Sequence, residues 1–166
     1  MFELPKTTDV CKLIALTKSN SGVSGPDLAR AHMQLGHLLA EAVPFPPEDT
    51  TVVAILRGGI LLAEGMYFRL NCQFETYDPK RQEFIRPKTK YVILVDSVIN
   101  TGKTLLPLLE QNTLVACGVI NRKALPLFDK HLLAARISDN SYIGSNIATQ
   151  TGNKGPDTTM RLFNQL

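Results

Sequence analysis

The chain has 166 residues, 44% of them apolar and 20% charged, and its 18 Lys and Arg against 15 Asp and Glu leave a net charge of +3. That length suits one domain, residues 1–166, with a core of its own, and no apolar stretch approaches the ~20 residues of a membrane span. So mild a basicity argues against a nucleic-acid partner and suits a small anionic one.

The first clear element is a helix over "GPDLARAHMQLGHLLAEAV", residues 25–43. Gly25 can cap it, Pro26 suits its first position and Asp27 sits near the positive dipole end. Leu28, Leu35, Leu38, Leu39 and Ala42 share its apolar stripe. "PFPPED" then breaks it. "TVVAIL" reads as a buried strand, "ILLAEGMYFRL" after "RGG" as a helix, "FETYD" as a strand and "YVILV" as another. A helix is expected from Thr104 to about Gln111, with Pro107 tolerated in its first turn. "LVACGVI" follows as a strand, and "ALPLFDKHLLAA" reads as a helix. Wholly apolar strands separated by helices predict an α/β domain, a mainly parallel central sheet with helices on both faces.

The three cysteines, Cys11, Cys72 and Cys117, are far apart and lack metal-ligand spacing, which reads as reduced thiols in a cytosolic protein. The start, "MFELPKTTDV", lacks the basic-then-apolar order of a signal peptide. His32 and His37 are five residues apart and do not share a helix face, and His131 stands alone. No direct metal site is expected.

In a parallel sheet, ligands gather at the carboxyl ends of the strands. "RGG" and "DSVINTGKT" both fall there. The second could be a triphosphatase P-loop, but that motif needs a glycine five residues before Gly102, where the chain has Ser97. The alternative accounts for more residues. An acid, Asp96, ends the strand and can accept hydrogen bonds from ribose hydroxyls. Thr101, Gly102, Lys103 and Thr104 would turn their backbone N–H groups onto a phosphate, with the two threonine hydroxyls adding bonds.

The "DSVINTGKT" loop resembles the phosphoribosyl-diphosphate (PRPP) loop of the type I phosphoribosyltransferases. "VVAILRGGI" is similar to the pyrophosphate loop of that superfamily. The tail "GPDTTMRLFNQL" is similar to the end of its uracil-specific members, and the front "LIALTKSNSGVSGPDLARAHMQLGHLLAEAV" to their opening helix and the loop before it, so the resemblance spans nearly the whole chain. It implies a single phosphoribosyltransferase domain that moves the 5-phosphoribosyl group of PRPP to a nucleobase, uracil above others, with Mg²⁺ carried by PRPP and water. Arg57, Gly58, Gly59, Asp96, Ser97, Asn100, Thr101, Gly102, Lys103 and Thr104 would bind PRPP. Gly155, Pro156, Asp157 and Thr158 would meet the base, and Arg57, Asp96 and Asp157 would carry catalysis. A homo-dimer is the general expectation for a soluble protein.

The sequence departs from those relatives in several places, among them Ser97 for the second residue of the usual acidic pair and Thr158, Thr159 and Met160 in the tail. Asn100 stands where purine enzymes have an acid, and Pro156 where uracil enzymes have glycine. The hood that closes over PRPP is reduced to "NCQFETYDPKRQEFIRPKTK", with Tyr77, Lys80, Arg81, Arg86 and Lys88 either forming a short lid or lying in solvent. A nucleotide-sensing regulator on the same fold is the second expectation, and a purine enzyme a further one.

Overall fold

A computed structural model describes residues 1–140 and 142–166. Its centre is a six-stranded sheet of β1 (Phe2–Glu3), β2 (Thr50–Ile55), β3 (Gln73–Tyr77), β4 (Tyr91–Ile99), β5 (Thr113–Asn121) and β6 (Leu132–Ser138), all parallel, in the order β1-β6-β5-β4-β2-β3. Helices α1 (Thr8–Thr17), α2 (Gly25–Ala40) and α3 (Ile60–Leu70) cover one face. Alternate residues of β4 serve the two faces. Ile93 and Val95 pack with Leu35, Leu39, Leu62 and Met66, while Val92 and Leu94 pack with Leu105, Leu108, Ala124 and Phe128. Both faces are therefore dry, which is why the strands are apolar throughout.

The second face is covered by 3-10 helices, Leu106–Leu108 and Arg122–Leu127, where the sequence suggested α-helices. Each carries a proline, and the first must end within four residues of β5, too short a space for a regular helix to propagate. The expected helix over 124–135 divides at His131, and its apolar part becomes the buried strand β6. A short apolar run is compatible with either state until its neighbours are known. Sequence reading also passed over α1, which Thr7 caps by accepting from the Val10 N–H.

Strand β2 lies between β3 and β4, so the chain reverses its direction of winding there. A crevice opens at the carboxyl ends of strands flanking such a switch point. Beside it, β7 (Ile143–Ser145) and β8 (Lys154–Pro156) form a small parallel ribbon that leads into α4 (Thr158–Leu162). Arg161 fixes this end of the chain. It is buried, and its guanidinium donates to Thr17 O at the end of α1 and to Val23 O and Ser21 Oγ in the segment that follows. Burial lowers its pKa, but the oxygens it meets keep its donors satisfied.

Candidate functional site

At the carboxyl edge of the sheet lies a cleft of about 630 Å³. Its charged lining comes from five places: Arg57 after β2, Asp78, Lys80 and Arg81 after β3, Asp96 on β4, Arg136 on β6 and Asp157 before α4. Of the residues singled out in the sequence, Arg57, Gly58, Asp96, Ser97, Asn100, Pro156, Asp157 and Thr158 line it. Gly59, Thr101, Gly102, Lys103, Thr104 and Gly155 do not.

The loop after β2 is packed tightly against its surroundings. A Cβ on Gly58 would lie 2.9 Å from Ser97 Oγ, 3.1 Å from Thr159 Oγ1 and 3.6 Å from Asp96 Oδ1, so three separate segments meet there. Gly59 opens α3 and serves packing, since a Cβ would lie 2.1 Å from Val95 O. The Leu56–Arg57 peptide is cis. Arg57 is exposed, and its Nη2 donates to Gln165 Oε1 at 2.9 Å while its guanidinium lies 5.6 Å from the Phe163 ring centroid.

Asp96 sits deep in the cleft with only part of its side chain reaching solvent. Burial pushes its pKa up to about 6, against the opposing pull of the Val98 and Ser97 backbone N–H groups. Beside it on β5, burial and then the Asp96 charge push the Cys117 thiol up, so that side chain stays a neutral sulfhydryl. Asp157 accepts from the Met160 N–H at 2.9 Å with Oδ1 and so caps α4.

The loop beyond β4 turns away after Asn100. Gly102 has φ 74°, and its carbonyl accepts from the N–H groups of Leu105 and Leu106, both at 3.0 Å. Thr101, Lys103 and Thr104 are exposed. Among the described residues, nothing accepts from the backbone N–H groups of Thr101, Gly102 or Thr104. A turn with a left-handed glycine and free N–H groups is suited to an anion.

The shortened hood is divided between two tasks. Lys80 and Arg81 reach the cleft. Tyr77 is buried edge-on to Phe84, with ring centroids 5.1 Å apart. Arg86 is turned to the body, donating to Thr113 Oγ1 at 2.9 Å and Gln111 O at 3.0 Å. It and Lys88 border a separate cavity of about 540 Å³ between β3 and residues 82–88.

Sequence reading missed the far wall, where Asn121, Arg136 and Ser138 end β5 and β6. A signal existed. Had "LLAA" been read as a strand, the rule that placed Arg57 and Asp96 would have placed Arg136 as well. Among the described residues, no three His, Cys, Asp or Glu side chains converge as a metal cage. No helix among them is long and apolar enough to cross a membrane.

No protein-family model matches this chain. No curated protein sequence matches it either. Solved structures do. The AQ2163 protein of Aquifex aeolicus is 17% identical, with 85% of this chain and 90% of that one aligned at a TM-score of 0.66. Adenine phosphoribosyltransferase from Leishmania tarentolae aligns over 82% of this chain and 91% of its own at 12% identity and a TM-score of 0.55. The fold is that of the type I phosphoribosyltransferases. The Giardia lamblia adenine enzyme, solved with 9-deazaadenine, is 18% identical over 68% of this chain and 81% of its own, at a TM-score of 0.50. The expected nearness to uracil enzymes has no counterpart among these three structures.

Proposed function

We propose that the protein transfers the 5-phosphoribosyl group of PRPP to a nucleobase, releasing pyrophosphate. One observation carries this reading. Asp96 and the Arg57–Gly58 loop adjoin one another at the switch point of a sheet with the phosphoribosyltransferase fold. In the reaction the C1–O bond to pyrophosphate breaks and its electron pair leaves with the pyrophosphate. A ring-nitrogen lone pair forms the new C1–N bond, and the base gives up its N–H proton to solvent. Positive charge grows on the ribose and negative charge on the leaving group, so positioning and fixed charges do most of the catalysis.

Arg57 meets the departing pyrophosphate, and its partner Gln165 is exposed and readily exchanged for a phosphate oxygen. Asp96 and Ser97 hold the ribose hydroxyls. Asn100, the free N–H groups of Thr101, Gly102 and Thr104, and Lys103, whose N–H donates to Thr101 Oγ1, take the 5′-phosphate, and Gly58 and Gly59 allow the loop after β2 its close approach. Gly155, Pro156, Asp157 and Thr158 border the base. Bound Mg²⁺ supplies charge neutralisation at the pyrophosphate. The cleft's acids arrive singly from separate elements, a donor set that fits an ion keeping its waters and substrate oxygens. The protein acts in nucleobase salvage in the cytoplasm, without membrane or nucleic-acid partners and as a homo-dimer.

The test is calorimetry with PRPP and Mg²⁺, followed by uracil, hypoxanthine, guanine, orotate and adenine in the same cell. PRPP binding with heat of turnover for one base is the expected result. No PRPP binding would remove the reading. Binding without turnover would leave the second reading, a nucleotide or PRPP sensor, which is favoured by the tethering of Arg86 to the body instead of over the cleft.

Asp96 makes the affinity depend on pH. Its carboxyl holds its proton more tightly folded than unfolded, so its contribution to stability is greatest below pH 3.8 and is lost as pH rises towards about 6. Ribose hydroxyls donate to the ionised form, so PRPP affinity should rise as pH passes from 5 through about 6 and then level. PRPP phosphates titrate nearby, so Asp96→Asn is the reference. If both proteins show one slope, Asp96 does not hold the ribose.

A further inference from the structure

The cleft has a cation at its far end that nothing in the foregoing reaction uses. Arg136 stands in register with Val119 of β5, which is in register with Val98 of β4. Two strand spacings, about 10 Å, therefore separate Arg136 from β4. Arg57 follows β2 on the opposite side of β4. The acid in the middle of the cleft is thus flanked by an arginine on either hand.

The two arginines differ in their state. Arg57 is exposed and already has an oxygen partner. Arg136 is half-buried, and its Nε is fully buried with no hydrogen-bond partner among the described residues. It forms no ion pair among them either. An unpaired buried donor on a cation is costly and calls for an explanation. Burial also lowers its pKa, the direction expected of a cation lacking a counter-charge.

The polar side chains beside it at the strand ends are engaged elsewhere. The Asn121 amide is committed on both sides, its Nδ2 donating to Asn140 O and its Oδ1 accepting from the Lys123 N–H. Ser138 Oγ accepts from the Asn140 N–H. What remains at this end is a guanidinium, a group that donates and never accepts.

We infer that Arg136 reads the acceptor base and selects those that present a carbonyl oxygen at the edge turned towards β6. Uracil, hypoxanthine and guanine offer that oxygen. Adenine offers an exocyclic amine, a second donor, and leaves Arg136 unpaired. This rests on the transfer reading and narrows it to oxo-bases, against the adenine specificity named for two of the similar structures. A site built to hydrogen-bond one edge rejects an analogue lacking the matching group, because the guanidinium donors that face the cleft are then left opposite another donor.

The experiment is calorimetric binding of UMP, IMP, AMP and ribose 5-phosphate to the wild-type protein, Arg136→Leu and Arg136→Gln, with PRPP binding measured in parallel. A hydrogen bond to a charged group supports a preference of about tenfold to hundredfold for UMP and IMP over AMP. Arg136→Leu should bring the three nucleotides to within about threefold, by weakening UMP and IMP. Arg136→Gln, which both donates and accepts, should narrow the gap and serves if the leucine variant does not fold. Three results would overturn the inference: AMP binding wild type as tightly as UMP and IMP, a preference that is undiminished in either variant, or ribose 5-phosphate weakened in step with the nucleotides, which would make Arg136 a phosphate ligand. If PRPP binds and the preference is absent, this inference alone falls. If neither PRPP nor any nucleotide binds, the transfer reading falls and this one with it.

Discussion

Arg57→Ala should lower the turnover of phosphoribosyl transfer by about 10²–10³-fold, the loss that follows removal of one fixed donor facing a developing anion. The physical argument is charge. In the proposed transfer, pyrophosphate gathers negative charge as the C1–O bond lengthens, and the guanidinium after β2 would meet it. The fold should hardly notice. Arg57 is exposed, and its ties to Gln165 and Phe163 lie on the surface, where such contacts contribute under about 1 kcal/mol. Melting temperature and kcat measured side by side separate the two effects. Arg57→Lys should recover only part of the loss, since it restores the charge without the planar fork. An alanine variant with full turnover removes the leaving-group role.

Gly102→Val should lose PRPP binding and also melt several degrees lower. Two costs add. The glycine occupies φ 74°, a conformation that costs a β-branched residue about 1–3 kcal/mol. A Cβ there would also lie 2.8 Å from two ring carbons of Phe128, which is itself 1% exposed and has little room to yield. For a chain of this size each kcal/mol corresponds to about 2–4 °C. The loop that carries the free N–H groups of Thr101 and Thr104 is thus braced from below by the core, and disturbing the brace should move the donors. A variant that melts early yet binds PRPP as tightly as wild type would leave packing against Phe128 as the glycine's sole task and would take the loop out of the site.

Phe128 also explains part of what could be read in advance and what could not. The glycine of "NTGKT" was legible as a turn glycine from its neighbours alone, but its packing partner is 26 residues further on, in a stretch that read as helix. The same holds for β6. "LLAA" is short and apolar, and such a run suits a buried helix and a buried strand equally well. What settles it is β5 on one side and the two-residue β1 on the other, the latter from the opposite end of the chain. Arg136 inherited that ambiguity and went unnoticed. The hood showed the same limit. Its basic residues were visible, yet only the positions of Thr113 and Gln111 decide that Arg86 turns inward while Lys80 and Arg81 face the cleft.

Asp96, expected to end its strand, lies inside β4, which runs on to Ile99. The sequence by itself determined the α/β class, the strands β2, β3, β4 and β5, the helices α2 and α3, and the placing of Arg57 directly after a strand. Each of these follows from local causes: apolar runs long enough to be buried on both faces, a proline and an acid at a helix start, glycines directly after a strand. Only the tertiary structure decided the strand order, the extended state of β6, and the meeting of Arg57, Asp96, Arg136 and Asp157 around one cleft. Those depend on hydrogen-bond register between strands distant in the chain, and a local stretch of sequence carries its own backbone preferences but not the identity of the strand it will lie beside.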